Sequence, residues 1–347
     1  VLNGDKGQNR VSSATIKING IEILRERDFN QQVDTNERSI SLQTSNNLSI
    51  ELKSAPGGSL TIMIECLDCL DISISSPPDG AIVSSLTVLV KGTIIATTDD
   101  VGVTVNGYPA ALNRTNWAVL LPLSESENTI TAKITDFYGN SAQKSINICA
   151  EWAGEMMSLS VSPVSGVLPL LVNFSFSTTL TPIPASYQID FEGDGVVDST
   201  LHSIENLTYL YSQEGIYYPT VKATDSQGSP YTVTALVHVQ DKAKMDAFLR
   251  ARWDGMRNAL YQKDIPEGLN SFLESSKEVY RQAFNLIIDE LPQIVSDMQD
   301  VEMIYLSNDV AKYRINRVHN IEGTFQTITY YIYFTKDSDG IWRIDRF

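Results

Sequence analysis

Basic residues are scarce in this chain. Its 26 Lys and Arg face 42 Asp and Glu, a formal net charge of -16 over 347 residues. A surface of that sign repels phosphate backbones, which argues against nucleic acid as a partner. Histidine is scarcer still, with three residues: His202, His238 and His319. None stands in an H-E-x-x-H pattern, and no G-x-S-x-G, G-x-G-x-x-G or phosphate-loop motif occurs, so no nucleophilic, hydride-transfer or phosphoryl chemistry has a recognisable context. Long apolar runs are missing too. "VLPLLVNF" (167–174) is strand-sized, well short of the ~18–20 residues a membrane helix needs. The chain opens on the polar "VLNGDKGQNR", which reads as the trimmed start of an exported protein, extracellular or at the cell surface.

Cysteine is the third scarcity, with Cys66, Cys69 and Cys149 only. A single "CLDC" lacks the second ligand pair of a structural zinc site and has no nearby His. It follows one strand-like run and precedes another, where a redox pair would open a helix. Two readings stay open for these candidates. One is a local bridge or free thiols at Cys66 and Cys69; the other is a disulfide to Cys149, within a chain or between chains.

What is present is β-patterning. Apolar residues make up 42% of the chain, enough for real cores, and the length suits two to four domains. "ATIKINGIEI" alternates around Asn19-Gly20, and a small all-β segment (1–69) is expected there. In 70–150, short strands are punctuated by Pro-Pro-Asp-Gly at 77–80 and by a second hairpin turn at Asn106-Gly107. The pattern "SPPDGAIV…VKGTI…VTVNGYPA…WAVLLPLSESENTITAKITDFYGNSA" resembles the bacterial Ig-like domains found beside glucodextranase catalytic domains. That resemblance implies a β-sandwich spacer or adhesion module with nothing catalytic to carry over. Residues 157–240 contain "IDFEGDG" and "Y.Y...G.Y.PTV.ATDSQG" and resemble the polycystic-kidney-disease (PKD) domain, a second sandwich. Ile189 stands where that family usually has Trp, and Glu192 lengthens the loop.

From residue 241 the period changes. Met245, Phe248, Leu249, Trp253, Met256 and Leu260 make an i, i+3/i+4 stripe. Three helices are expected, the third bent or stopped near Pro292, then strands ending in "DGIWRIDRF". This order resembles the nuclear-transport-factor-like (SnoaL-type) α+β cone fold. The fold class expected is therefore multidomain and mainly β, serial sandwiches with a C-terminal α+β cone domain (241–347). Any chemistry would sit in the cone, among Tyr313, Tyr331, Tyr333, Asp254 and Arg314, although sheet and pocket-lining tyrosines are the commoner explanation.

The densest chemical signal is "DFEGDGVVD". It fits the calcium-loop rule D-x-[DN]-x-[DN]-G, with Asp190 at position 1, Glu192 at 3, Asp194 at 5, Gly195 at the sharp turn, the Val196 carbonyl at 7 and Asp198 at 9. Hard carboxylate oxygens suit Ca2+. Position 12 is Leu201 and the flanks are strands, so a weak structural site is expected, weighed against a solvated acidic turn. His238, in "TALVHVQ", reads as half-buried or exposed sheet. Tyr209, Tyr211, Tyr217 and Tyr218 are either strand tyrosines or a carbohydrate platform. The functional expectation is a non-catalytic structural or adhesive protein that assembles with itself or with other cell-surface proteins. The alternatives are polysaccharide binding and a small-ligand or enzymatic role for the cone domain.

Overall fold

A computed structural model describes residues 1–4, 8–42, 45–53, 57–64, 69–151, 156–321 and 323–347; at 320 and 321 it describes the backbone. Strands dominate, at 48% of residues against 13% helix. The chain divides into two compact units, Val1–Leu67 and Asp68–Phe347. No helix among the described residues is long and apolar enough to cross a membrane.

In the first unit Ala14–Ile18 pairs with Ile21–Leu24 on one side and Leu48–Leu52 on the other. Asn19 and Gly20 both have positive φ (52° and 79°), the twist a two-residue hairpin needs. The core is small: Val11, Ala14, Ile16, Leu24 and Phe29. Asn3 supplements it. Its buried amide donates to the carbonyls of Val11, Asn30 and Val33 and accepts from the Val11 N–H, tying three loops together.

The second unit holds three separate cores. The first lies between a four-stranded sheet (Leu70–Ser76, Thr87–Ala96, Ala111–Asn113, Asn116–Pro122) and a five-stranded one built on Val101–Val105, Ser126–Asp136 and Ser141–Ala150. Trp117, fully buried, packs over Gly92, where any Cβ would lie 2.5 Å from the indole. The second core is centred on Val172, Phe174, Ile189, Tyr211, Val221, Val237 and Val239, inside strands of 157–240.

The third core belongs to four helices and the strands after them. Helix α1 (Lys242–Tyr261) starts on the Asp241 side chain, which accepts from the Lys244 N–H. It buries Leu249, Trp253, Met256 and Leu260 of the expected stripe. Helix α2 (Ile265–Leu269) carries Pro266 in its first turn. The expected third helix is two: α3 (Lys277–Leu286) and α4 (Leu291–Ser296). Pro292 sits in the first turn of α4, where its missing N–H costs nothing. Four antiparallel strands follow: Glu302–Ser307, Val310–Ile321, Thr324–Lys336 and Trp342–Arg346.

The three cores do not form a loose series. Ser165–Val167, from the second segment, pairs in parallel with Val237–Gln240 and meets Glu302–Ser307 through Gly166 and Ser307. One seven-stranded sheet therefore runs from the second core into the third. The first core joins from the side. All five residues of Val101–Val105 are buried, although only Val101, Val103 and Val105 face its own sandwich. Gly102 meets the Asp337–Gly340 turn backbone to backbone: a Cβ on Gly102 would lie 2.2 Å from the Asp339 carbonyl oxygen. Gly340, at φ 83°, faces Val103 in return.

Gly102→Ala is expected to destabilise the chain by about 1–3 kcal/mol, the cost of overpacking a contact that cannot yield at a side chain. Gly255→Ala, in the open interior of α1, is expected to be neutral or to stabilise by up to ~1 kcal/mol. Urea unfolding of the two variants checks this; equal midpoints would contradict the contact.

Candidate functional site

Two places in the second unit concentrate polar chemistry. The first is the acidic loop. Tyr187–Asp190 ends in Asp190, which is buried, and the chain then turns through Gly193 and Gly195, both at positive φ. Asp190 organises the turn: Oδ1 accepts from the Gly193 N–H (2.6 Å) and Oδ2 from the Gly195 N–H (2.7 Å). Asp198 returns to accept from the Phe191 N–H (2.6 Å). One carboxylate oxygen from each of Asp190, Glu192 and Asp198 lies within 4.8 Å of the other two. Asp194 stands outside that group and accepts from the Val196 N–H (2.8 Å), closing a local turn. Of the five expected ligands, the carboxylates of Asp190, Glu192 and Asp198 come together, and Asp194 is drawn to the Val196 N–H.

Aromatics buttress this loop. Tyr209 stacks on Phe191 (4.3 Å between centroids) and donates its hydroxyl to Glu192. That bond, then partial burial, pushes the Tyr209 pKa up to about 12. The buried Tyr211 donates to the Phe191 carbonyl (2.8 Å) and Tyr217 to the Gln213 carbonyl (2.9 Å). The hydroxyls of these three are thus engaged within the domain, and the fourth tyrosine of the cluster, Tyr218, has the Lys91 ammonium over its ring (4.7 Å).

The second place is a junction cavity of about 550 Å³. The first core contributes Ile94, Val101, Leu112 and Arg114; the second contributes Glu214, His238 and Gln240; α1 contributes Lys244, Met245 and Phe248. Its origin lies in strand alternation. Val237 and Val239 point into the second core, so His238 and Gln240 lie on the opposite face. In a free-standing sandwich that face would be wet. Here all four residues of Val237–Gln240 are buried. His238 is 5% exposed, a correction to the exposed or half-buried sheet position expected from alternation alone. At the rim Glu214 binds Lys244 (2.5 Å) and Arg114 (3.6 Å), linking all three segments.

Next to the cavity Arg252 of α1 reaches Asp100 (2.5 Å) and lies over the Phe137 ring (3.9 Å). Burial raises the Asp100 pKa and lowers that of Arg252, each against the attraction of its partner. Both directions say that desolvation exceeds the Coulomb gain, so the pair fixes orientation more than it adds stability. Arg343, also buried, clamps the neighbouring turn by binding both oxygens of Asp339 (2.7 Å) and one of Asp337 (3.3 Å). Sequence reasoning passed over Asp100, Arg252 and Arg343 because a charged residue signals solvent by default.

The expected cone candidates do not converge. Tyr313 is buried, opposite Ile332, whereas Arg314 and Tyr331 pair on the other face, next to Tyr333 and Lys312. Arg314 is held by Glu302 (2.9 Å), and Asp254 lies near Arg257 (3.4 Å). Cys69 is disulfide-bonded; Cys66 lies outside the described residues. Cys149 carries a free thiol near Glu151 (3.7 Å), so the second of the two readings, a bridge to Cys149, is not formed within the chain. Desolvation and that carboxylate push its pKa up, away from a reactive thiolate.

Residues 70–152 match the family described as glucodextranase, domain B, which makes this segment an Ig-like sandwich, as its sequence resemblance implied. No curated protein matches the chain. Among solved structures, the fibronectin(III)-like modules of Clostridium thermocellum CbhA share 12% identity with it at a TM-score of 0.21, over 50% of this chain and 96% of theirs. The SGBP-B protein of a Bacteroides ovatus mixed-linkage glucan utilization locus, solved with a mixed-linkage heptasaccharide, shares 14% at 0.19, over 49% and 47%. Dimeric latent PorU of Porphyromonas gingivalis shares 11% at 0.27, over 57% and 23%.

The buried His238 generates a pH dependence. Burial first, and then the Lys336 ammonium, lower its pKa from 6.5 to about 3, against the opposing pull of Asp309 and the Leu112 backbone. Between those values the unfolded chain binds a proton that the folded chain refuses, so stability rises with pH. The contribution is fully present above about pH 6.5 and is lost on acidification toward 3, with a slope approaching ~1.4 kcal/mol per pH unit. Urea unfolding at a series of pH values is expected to show this slope in the native chain and a shallower one in His238→Leu; equal slopes would contradict it.

Proposed function

We propose that this chain is a non-catalytic extracellular structural or binding protein whose residues 68–347 act as one stiff block. The observation that carries this reading is the burial of two strands, Val101–Val105 and Val237–Gln240, on both faces. A tether of independent modules has no need to seal its outer sheet faces against one another; a block that must hold contact surfaces at fixed positions does. In this reading residues 157–240 are a PKD-type sandwich and 241–347 a cone-type domain, both serving as packing and contact elements, at the cell surface of the organism that exports them.

Calorimetry of the native chain tests the block. The second unit is expected to unfold in one transition, with Arg252→Met broadening or splitting it. Three well-separated transitions in the unmodified chain would sink the proposal.

The acidic loop in this reading holds a structural calcium ion on Asp190, Glu192 and Asp198. Its chemistry fits. The ligand oxygens are hard carboxylates, and the backbone and tyrosine bonds use one oxygen each of Glu192 and Asp198, leaving the other for an ion. Neutralising three crowded carboxylates stiffens the turn and stabilises the folded state by mass action. With a Kd of ~10⁻⁴–10⁻³ M, calcium at about 10 mM is expected to add ~1.4–2.7 kcal/mol. Glu192→Gln or Asp198→Asn is expected to abolish that gain and Asp194→Asn to keep most of it. An unfolding midpoint indifferent to calcium would remove the ion from this account.

Contact surfaces for self-assembly are available on the ribbon Val310–Ile321/Thr324–Lys336. Between Ile315 and Ile332 its strands pair with each other and, among the described residues, with nothing else. Unpaired edges of this kind accept further strands. Light scattering across a concentration series is expected to show mass rising above that of the monomer, and less so in Phe325→Asp; an invariant monomer mass would rule out self-assembly.

A further inference from the structure

We infer that the outer face of the last sheet is a binding site for an acidic polysaccharide whose anions recur at every second sugar. The helices cover the other face, packing on Met303, Leu306, Tyr313, Ile332, Phe334 and Ile344. On the outer face, strand register lines up Tyr305 with Lys312, Lys312 with Tyr333, and Tyr333 with Arg346. Directly paired residues share a face, so four adjacent strands present ring, cation, ring and cation in one row. The row is open to a ligand: Tyr305 is 45% exposed and the Arg346 side chain 67%.

The cations are held ready and are short of partners. Lys312 Nζ lies 3.9 Å from the centroid of the Tyr331 ring and 5.4 Å from that of Tyr333, and the Arg346 guanidinium lies 4.6 Å from Tyr333. A cation already resting on rings loses less side-chain freedom when an anion arrives. Glu302, in the neighbouring row, is taken by two nitrogens of Arg314 (2.9 Å each). Among the described residues Lys312 has no ion pair, and Arg346 has only a loose one with Asp345 (3.9 Å). Lys312, Arg314 and Arg346 against Glu302 therefore make a positive patch on a chain of net charge -16, and its complement is a polyanion.

Spacing selects among polyanions. Lys312 and Arg346 stand two strands apart, about 10 Å, with Tyr333 between them. An extended acidic peptide brings a carboxylate to the same side every second residue, about 6.7 Å, which is out of step. Double-stranded DNA carries a charge every ~1.7 Å and meets the repulsion of the whole acidic chain with each of them. A polysaccharide that alternates acidic and neutral sugars sets one anion on each cation, a neutral sugar beside Tyr333, and a ring face against Tyr305 at the end of the row. The inference takes only an extracellular setting from the function proposed above. The site lies within one sheet, so glycan binding and the single unfolding transition of the block succeed or fail separately.

Hyaluronan octasaccharide, which alternates carboxylate-bearing and neutral sugars, is the probe, with its carboxyl-reduced form as the neutral control. Titration calorimetry on the full chain is expected to show the acidic form binding about four- to twentyfold tighter, the worth of two exposed ion pairs, and losing that preference at high salt. Lys312→Gln and Arg346→Gln are each expected to weaken the acidic form about two- to fivefold and to leave the neutral form alone. The double variant is expected to bind both forms equally. Tyr305→Ala is expected to weaken both forms, and Lys144→Gln, at an exposed lysine of another sheet, to change nothing. No binding of the acidic form at millimolar concentration, equal affinity for the two forms in the native chain, or tighter binding of poly-glutamate would overturn the inference. So would a concentration-dependent mass that the double variant abolishes, which would make a second copy the occupant of this face. The two forms are compared on the unaltered protein, so a variant that fails to fold does not decide the outcome.

Discussion

Val237 and Val239 point into one core while His238 and Gln240 point into a junction, and this double burial constrains everything around it. A strand with one wet face tolerates any neighbour. A strand sealed on both faces needs its own sandwich below and a matched surface above, and the matched surface here comes from an Ig-like sheet distant in sequence and from helix α1, which follows the strand directly. The same holds in reverse for Val101–Val105, whose outer face meets the last hairpin of the chain. Together the two strands convert three modules with three cores into one unit.

The energetic character of the junction differs from that of the cores. Inside each sandwich, aliphatic and aromatic side chains gain by leaving water, at roughly 25 cal/mol per Å² of apolar area. At the junction the contacts are backbone against backbone, buried ion pairs and polar atoms lacking partners. Arg252 and Asp100 are taken out of water at a cost that their attraction only partly offsets, and Arg343 is buried against Asp339 beside them. Such contacts discriminate strongly between correct and incorrect docking, because a misaligned arrangement strands a charge. The cores supply stability and the junction supplies geometry.

Much of the local structure was legible in the sequence. The Asn-Gly turns carry positive φ at both residues, the apolar stripe of α1 faces its core, and the acidic loop curls on Gly193 and Gly195. These follow from period, turn chemistry and the steric freedom of glycine, all properties of short windows. Docking is not such a property. "VHVQ" alternates as a half-exposed strand does, and no local signal marks His238 and Gln240 as facing Ile94 and Leu112, more than a hundred positions away. The acidic loop was half legible. The spacing found the carboxylates, but Asp194 makes a turn with its own neighbour, an option open to any Asp two residues before a free N–H.

Gly102 and Gly340 touch where a strand of one sheet meets the last turn of the chain, and each lacks the atoms that usually let an interface adapt. When a bulky residue appears in most packed interfaces, a smaller one opposite can make room for it. Across this contact there is no side chain left to trim, so a lineage that loses either glycine can recover only by moving main chain. The pair makes this docking distance intolerant of added side-chain volume: any growth at either position costs stability before a compensating change elsewhere can act.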